Sequence, residues 1–185
     1  MSETKDESLN RIWTIGHSTH TLQEFIDMCY SFNINSRVDI RSYPGSRKFP
    51  HFNKETLEVS LPQHDIEYIH LRKLGGRRKV DPHSKNTLWR NESFRGYADY
   101  MQTDAFEEGV AQLIKIAKRK RVAYMCSEAV WWRCHRSMVS DYLKAQGWEV
   151  LHIMQSNKAT EHPYTQPAHI IDGQLAYVPE KGAKV

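Results

Sequence analysis

Arg121-Val122-Ala123-Tyr124-Met125-Cys126-Ser127-Glu128, then Ala129-Val130-Trp131-Trp132-Arg133, then Cys134-His135-Arg136-Ser137, is the stretch whose reading decides the fold. Arg121 to Met125 has the apolar, β-favouring character of a buried strand. Ser137 to Gln146 reads as a helix, with Gly147 placed to cap its C-terminus. A strand that hands over to a helix through a polar loop is half of a βαβ unit, so this segment argues for a parallel sheet. The loop between them gathers two thiols, an acid, an imidazole and two guanidinium groups. In open α/β sheets, ligands sit outside the carboxyl ends of the strands, where helix N-termini also point. A thiol at such a place is made reactive by the helix N-terminus and by nearby cations.

Outward from that segment the same alternation recurs. Ile12 to Ile15 is a short apolar strand closed by Gly16-His17-Ser18-Thr19-His20. Thr21 with Glu24 three residues later forms a capping box, and Leu22, Phe25, Ile26, Cys29 and Phe32 follow at helical spacing. Arg37 to Ile40 is a second strand that runs into the turn-forming Arg41-Ser42-Tyr43-Pro44-Gly45-Ser46-Arg47. Asn53 is placed to cap a short helix through Leu61, which Pro62 ends. Ile66 to Leu71 is a third strand, followed by the basic Arg72-Lys73-Leu74-Gly75-Gly76-Arg77-Arg78-Lys79. A long polar connection, Val80 to Asn91, leads to a helix marked by Phe106, Val110, Leu113, Ile114 and Ala117. Lys118 to Arg121 complement the dipole at its C-terminal end. Glu149 to Met154 is a further strand, and the tail from Thr160 carries a hairpin turning at Asp172-Gly173.

The expected fold is therefore α/β: a single domain over residues 12–178, with a mainly parallel sheet and helices on both faces, Rossmann-like or rhodanese-like in outline. Residues 1–11 are expected to be a disordered arm and 179–185 a flexible end. If the first four strands are parallel, their trailing loops open on one edge, and His17, Asp39, Arg41, Arg47, Gly75-Gly76 and Cys126 to His135 surround one pocket.

Bulk properties agree with this reading. A chain of 185 residues suits one domain. With 39% hydrophobic and 26% charged residues it has the make-up of a soluble globular protein. No apolar run approaches the roughly 20 residues of a membrane span, and the polar, acidic start is neither a signal nor a transit peptide, so a cytoplasmic protein is expected. Three cysteines, an odd number, fit reduced thiols better than a disulfide framework. Cys29 falls on the apolar side of its helix and is expected to fill core. A net charge of +4 permits an anionic ligand without demanding one.

The ordered set Gly16-His17-Ser18, Val38-Asp39-Ile40-Arg41-Ser42-Tyr43-Pro44-Gly45-Ser46-Arg47, Leu74-Gly75-Gly76 and Cys126-Ser127-Glu128…Cys134-His135-Arg136 resembles the domain-of-unknown-function family numbered 488. His162-Pro163 and the Asp172-Gly173-Gln174-Leu175-Ala176-Tyr177 hairpin extend the resemblance, which runs from about residue 12 to 178 and implies no established reaction. A second similarity is to rhodanese-like domains. There an Asp-x-Arg follows an early strand, here Asp39-Ile40-Arg41, and a late strand delivers a Cys before a helix that begins near Arg-Ser, here Arg136-Ser137. Nine residues separate Cys126 from Arg136, so this similarity bears on the fold more than on persulfide chemistry.

Three functional readings follow from the residue types. In the first, the protein is an enzyme, of transferase or hydrolase type, whose pocket takes a small anionic or nucleotide-like ligand. Cys126 is its nucleophile, and Glu128 and His17 are acid/base candidates. Arg41, Arg47 and Arg136 form an anion clamp, oriented by Asp39 on the same side of its strand. Tyr43, Trp131 and Trp132 offer aromatic faces, and His135 with Arg136 caps a helix and binds the anion. Glu128 would otherwise hold Arg136 or Arg133 in an ion pair. In the second, the same pocket accepts a base from a nucleic acid tracked by Arg72-Lys73, Arg77-Arg78-Lys79 and Lys118 to Arg121, with Trp89 and Tyr97 as further stacking faces. In the third, Cys126, Cys134 and His135 hold a metal in a hydrolase or sensor; no cofactor is expected, and zinc is the ion these donors would suit, at a non-standard spacing. Whether Cys126 and Cys134 form a redox pair depends on the loop between them.

Overall fold

The computed structural model describes residues 10–180. The expected arm and flexible end lie outside them, except that Arg11 already pairs in the first strand and Pro179 and Glu180 are described. At the centre is β4, Val122–Cys126, buried at every position, as a strand covered on both faces must be. It pairs in parallel with β1, Arg11–Gly16, on one side and with β2, Ser36–Asp39, on the other. β3, Glu67–His70, lies parallel beyond β2, and β5, Glu149–Gln155, parallel beyond β1. β6, Lys158–Glu161, adds an antiparallel edge, giving the order β3-β2-β4-β1-β5-β6.

Five α-helices join the parallel strands. α1 (Leu22–Tyr30) follows β1 and α2 (Lys54–Ser60) follows β2. α3 (Glu92–Tyr100) and α4 (Asp104–Ala117) lie between β3 and β4, and α5 (Arg136–Ala145) follows β4. Their starts are specified locally. Thr21 Oγ1 accepts from Glu24 N while the Glu24 carboxylate accepts from Thr21 N, both at 3.1 Å, so both halves of the capping box form. Asn91 caps α3 and Thr103 caps α4. Asn53 stands at the N-cap position of α2, but its side chain accepts from Ser46 N instead. Gly147, at φ +91°, closes α5 as expected. Asp172 and Gly173, both at positive φ, turn the hairpin of β7 (His169–Ile171) and β8 (Gln174–Ala176).

Right-handed crossovers place α1 and α2 on one face of the sheet and α3, α4 and α5 on the other. Two cores result. One packs Phe25, Ile26 and Leu57 against Trp13, Ile15, Ala123 and Met125. The other packs Tyr97, Phe106, Leu113, Val139 and Leu143 against Ile12, Val38, Val122 and Tyr124. Side chains alternate along a strand, so Cys126 shares the α5 side with Val122 and Tyr124. Asp39 and Arg37 take the α1 side, opposite to Val38. The chain leaves β1 towards one face and β4 towards the other, which makes the carboxyl ends of these neighbours a topological switch point.

The loop after β4 is pinned against β1. His17 N donates to Cys126 O at 3.0 Å and Ser18 N to Ser127 O at 2.9 Å, continuing the parallel ladder past the strand ends. Gly16 makes this approach possible, since a Cβ there would lie 1.6 Å from the Glu128 carbonyl oxygen. Gly16→Ala is accordingly expected to displace the loop and cost about 1–3 kcal/mol through overpacking. Urea unfolding measures the cost, and an unchanged midpoint would contradict the close contact.

Candidate functional site

A cavity of about 470 Å³ opens at the carboxyl edge of the sheet. Cys126, Ser127, Cys134 and His135 lie along it, with Glu128 and Arg133 from the same loop. Arg41, Ser42 and Tyr43 after β2, and Gly76 and Arg77 after β3, supply a second wall. Asn91, Ser93, Phe94 and Tyr97 at the start of α3 supply the third.

The two thiols meet here. Cys126 Sγ and Cys134 Sγ are 2.8 Å apart. Burial alone would raise the Cys126 thiol, but the hydrogen bond from Cys134 and the charge of Arg136 offset it and bring Cys126 down to about 7. Burial and the adjacent Cys126 push Cys134 well above its ordinary value. The two thiols titrate as a pair, with the lower value at Cys126.

Arg136 supplies that field from within the protein. It is only 1% exposed. Its Nη2 donates to the Glu128 and Ala129 carbonyls at 3.2 and 3.4 Å, while Nε and Nη1 have no hydrogen-bond partner. The expected ion pairing of Glu128 with Arg136 or Arg133 is replaced by this main-chain contact, and the Glu128 side chain stays exposed. His135 Nε2 meets Ile40 O at 2.8 Å, and burial holds its imidazole down at about 4.

Several expected members lie elsewhere, for one geometric reason. Residues on the α1 side of the sheet cannot face Cys126 on the α5 side. His17 is buried, stacked on Phe52 with centroids 4.4 Å apart, and does not line the cavity; burial lowers it to about 4. Asp39 is fully engaged on that side: it accepts from Arg41 Nε at 2.9 Å, from Arg41 Nη2 at 2.7 Å and from the Tyr68 hydroxyl at 2.5 Å. Arg41 Nη2 also donates to Phe52 O, so Arg41 reaches the cavity wall with its guanidinium committed to the interior. Arg47 is exposed and lies off the cavity.

The tryptophans divide. Trp131 stacks on His152 with centroids 4.7 Å apart and planes within 6°, whereas Trp132 is 53% exposed; neither lines the cavity. Of the other aromatic candidates, Tyr97 is buried and donates to Leu74 O, and Trp89 packs on Phe94 and Tyr177. Tyr43 is the exposed one at the cavity mouth, 63% accessible, with the Arg72 and Arg77 guanidinium carbons 5.3 and 6.0 Å from its ring. Among the described residues no three His, Cys, Asp or Glu side chains come together as a metal-holding group, so the zinc set of Cys126, Cys134 and His135 is not assembled. No helix among these residues is long and apolar enough to cross a membrane. Cys29 fills core as expected, and its Sγ also meets Arg37 Nη1 at 2.7 Å.

A buried polar chain supports the loop from below. Thr14 Oγ1 meets His152 Nδ1, His152 Nε2 meets His162 Nδ1 at 2.8 Å, and His162 Nε2 donates to Asp141 Oδ1 at 2.8 Å. Asp141 also accepts from the Thr165 and Tyr177 hydroxyls. Burial, with His162 and Arg136 beside it, holds His152 at about 2. The chain joins residues distant in sequence and leaves no local signal; of the α3 wall, only Tyr97 is among the residues the sequence singles out, as an aromatic face, while Asn91, Ser93 and Phe94 are not.

A family model described as Domain of unknown function DUF488 matches residues 21–143. Neither the comparison with curated proteins nor that with solved structures gives a match.

The three depressed imidazoles make the fold acid-sensitive. His17, His135 and His152 keep values of about 4, 4 and 2 in the fold against 6.5 for the free side chain. As the pH falls through 6.5 the unfolded chain takes up protons that the folded one refuses. Stability present above 6.5 is therefore lost on the way down to about 4, at about 1.4 kcal/mol per pH unit for each histidine. Melting temperature recorded from pH 7.5 to 4.5 should drop steeply below 6.5; a flat profile would mean these rings are not neutral in the fold.

Proposed function

The chain belongs to the DUF488 family, a membership that carries no reaction, so we propose its function from the cavity: an enzyme that uses Cys126 as a nucleophile on a small anionic or nucleotide-like ligand. The observation that carries the reading is the thiol at the carboxyl end of the central strand, on a cavity wall, brought down to about 7 with a buried, partly unpartnered guanidinium close by. Thiolates are the reactive form of cysteine, and one with a pKa near ambient pH is both populated and nucleophilic. Arg77 and Arg133 on the wall give an anion its counter-charges. Glu128 is the one carboxylate on the wall and takes the acid/base role that His17, on the other face, does not.

Alkylation of the native protein tests this directly. Cys126 should react with iodoacetate and iodoacetamide with a midpoint near pH 7, well ahead of Cys29, as read by peptide mass spectrometry. Arg77→Ala or Arg133→Ala should slow the anionic reagent about threefold while sparing the neutral one. An inert Cys126 would remove the nucleophile, and equal slowing of both reagents would remove the anion preference.

A second reading is favoured by one observation, the exposed Tyr43 ring with two arginines within 6.0 Å of its centre at the cavity mouth. Such a surface suits a stacked base and its phosphates, as in proteins that draw a nucleotide out of a strand. It requires binding to single-stranded oligonucleotides whose logarithm falls linearly with log salt, and weakens with Tyr43→Ala. No binding at low salt would dismiss it.

A further inference from the structure

We propose that Cys126 and Cys134 form a two-cysteine exchange centre, in which Cys126 attacks an anionic disulfide and Cys134 resolves the mixed disulfide that results. The proposal rests on the nucleophile reading above and extends it to a substrate class and to a second reacting residue.

Geometry carries the assignment. The two Sγ atoms stand 2.8 Å apart, so closing to an S–S bond of 2.03–2.05 Å takes a movement of under about 1 Å. Cys126 ends a fully buried strand, and Cys134 sits half-buried in the loop that precedes α5, its carbonyl held by Ser137 N and Oγ, so that both sulfurs are presented to each other by fixed backbone. Both sulfurs lie on the cavity wall. The remaining thiol, Cys29, is sealed in the other core against Arg37 and cannot take part. Arg136 serves the pair twice: its guanidinium field reaches Cys126, and its main-chain N–H points at Cys134 Sγ from 3.4 Å.

Chemically, a resolving thiol is useful only where the adduct leaves the Cys126 sulfur open to attack. A disulfide substrate R–S–S–R′ meets that condition. The Cys126 thiolate bonds to the R sulfur, and the substrate S–S bond breaks to release R′S⁻. The resulting adduct no longer carries the charge that held the Cys134 proton, and that proton passes to solvent, or to the departing thiolate where its thiol is as weak an acid as cysteine. The Cys134 thiolate then bonds to Cys126 Sγ, the Cys126–SR bond breaks, and RS⁻ leaves. The substrate is reduced to two thiols and the protein is oxidised to the Cys126–Cys134 disulfide; a low-molecular-weight dithiol resets it by the reverse exchange. Arg77 and Arg133 select carboxylate-bearing substrates.

The test uses the reduced full chain at pH 7 with 5,5′-dithiobis(2-nitrobenzoate), an aromatic disulfide with two carboxylates. The wild type should release two equivalents of thionitrobenzoate and end without adduct, with the Cys126 and Cys134 peptides linked. Cys134→Ser should release one equivalent and retain the adduct on Cys126, and Cys126→Ser should release neither rapidly; thermal melting shows that each variant is folded. A wild-type protein that keeps the adduct on Cys126, with no linked peptides, overturns the exchange centre while leaving the nucleophile intact. Failure of both thiols to react overturns both. Against neutral 4,4′-dithiodipyridine, with rates normalised to free cysteine, the anionic probe should be favoured about tenfold. Equal normalised rates would overturn the anionic substrate class.

Discussion

Arg136 brings a charge it cannot lose into the interior, and the surrounding loop is organised around that fact. A guanidinium keeps its proton under all ordinary conditions, so burial at 1% exposure has to be balanced by acceptors. Two are the carbonyls of Glu128 and Ala129, which fixes the path of the loop after β4. The charge also stands at the first position of α5, where the helix N-terminus is already positive. Two positive fields converging on one place favour an anion there, and the nearest ionisable groups among the described residues include the thiols of Cys126 and Cys134. The lowered thiol follows first from the Cys134 hydrogen bond and next from the charge of the buried Arg136, which together outweigh burial.

Much of this is legible in the sequence, because the relevant signals are local. Thr21 and Glu24 are three residues apart and make the capping box they announce. Asp172-Gly173 supplies the two positive φ values its hairpin needs. The polar loop between Cys126 and Arg136 is a single segment, so its thiols and its arginine are bound to be neighbours. What the sequence does not convey is which face of the sheet each strand end presents relative to the others. Asp39 and Arg41 do share a side, as alternation requires, but it is the α1 side, while Cys126 faces α5. That distinction depends on register between strands distant in the chain; it takes His17 and Asp39 away from the thiols and turns the Arg41 guanidinium inward, although Arg41 still reaches the cavity wall. Of the α3 wall only Tyr97 stands out in the sequence, as an aromatic face; the rest arrives through a connection from Val80 to Asn91 that reads only as polar.

The two faces consequently divide the work. On the α1 side, Arg37 is buried with its Nη1 on Cys29 and its guanidinium carbon 4.0 Å from the Phe25 ring centre, and Asp39 locks Arg41 and Tyr68. The Asp39 contacts tie β2 to β3, whereas Arg37, like Arg136, keeps two buried nitrogens, Nε and Nη2, without a hydrogen-bond partner. On the α5 side, polar groups stay open. Arg136 keeps two unpartnered nitrogens, Glu128 keeps an exposed side chain, and Tyr43 with Arg77 rims the cavity. Arg136 itself does not line the cavity; the polar groups open to a ligand there are those of Glu128, Arg77, Arg133 and Tyr43.

The loop after β4 is held at three points, and each limits a different motion. Gly16 lets β1 approach so closely that the backbone of Ser127 and Glu128 has no room to swing towards that strand. Arg136 ties the next two carbonyls down. Trp131 stacks on His152, whose own place is set by the chain through His162 to Asp141 and the tail residues Thr165 and Tyr177. Beyond Trp131 the side-chain anchoring thins: Trp132 and Arg133 are exposed, and Cys134 follows in extended backbone before α5 begins. Anchoring resumes at Cys134, whose carbonyl accepts from Ser137 N and Oγ and whose Sγ accepts from Arg136 N, and at His135, whose ring meets Ile40 O. The loop is thus pinned at both ends with Trp132 and Arg133 as its exposed middle, so the 2.8 Å spacing of the two sulfurs is set by backbone held on either side of them.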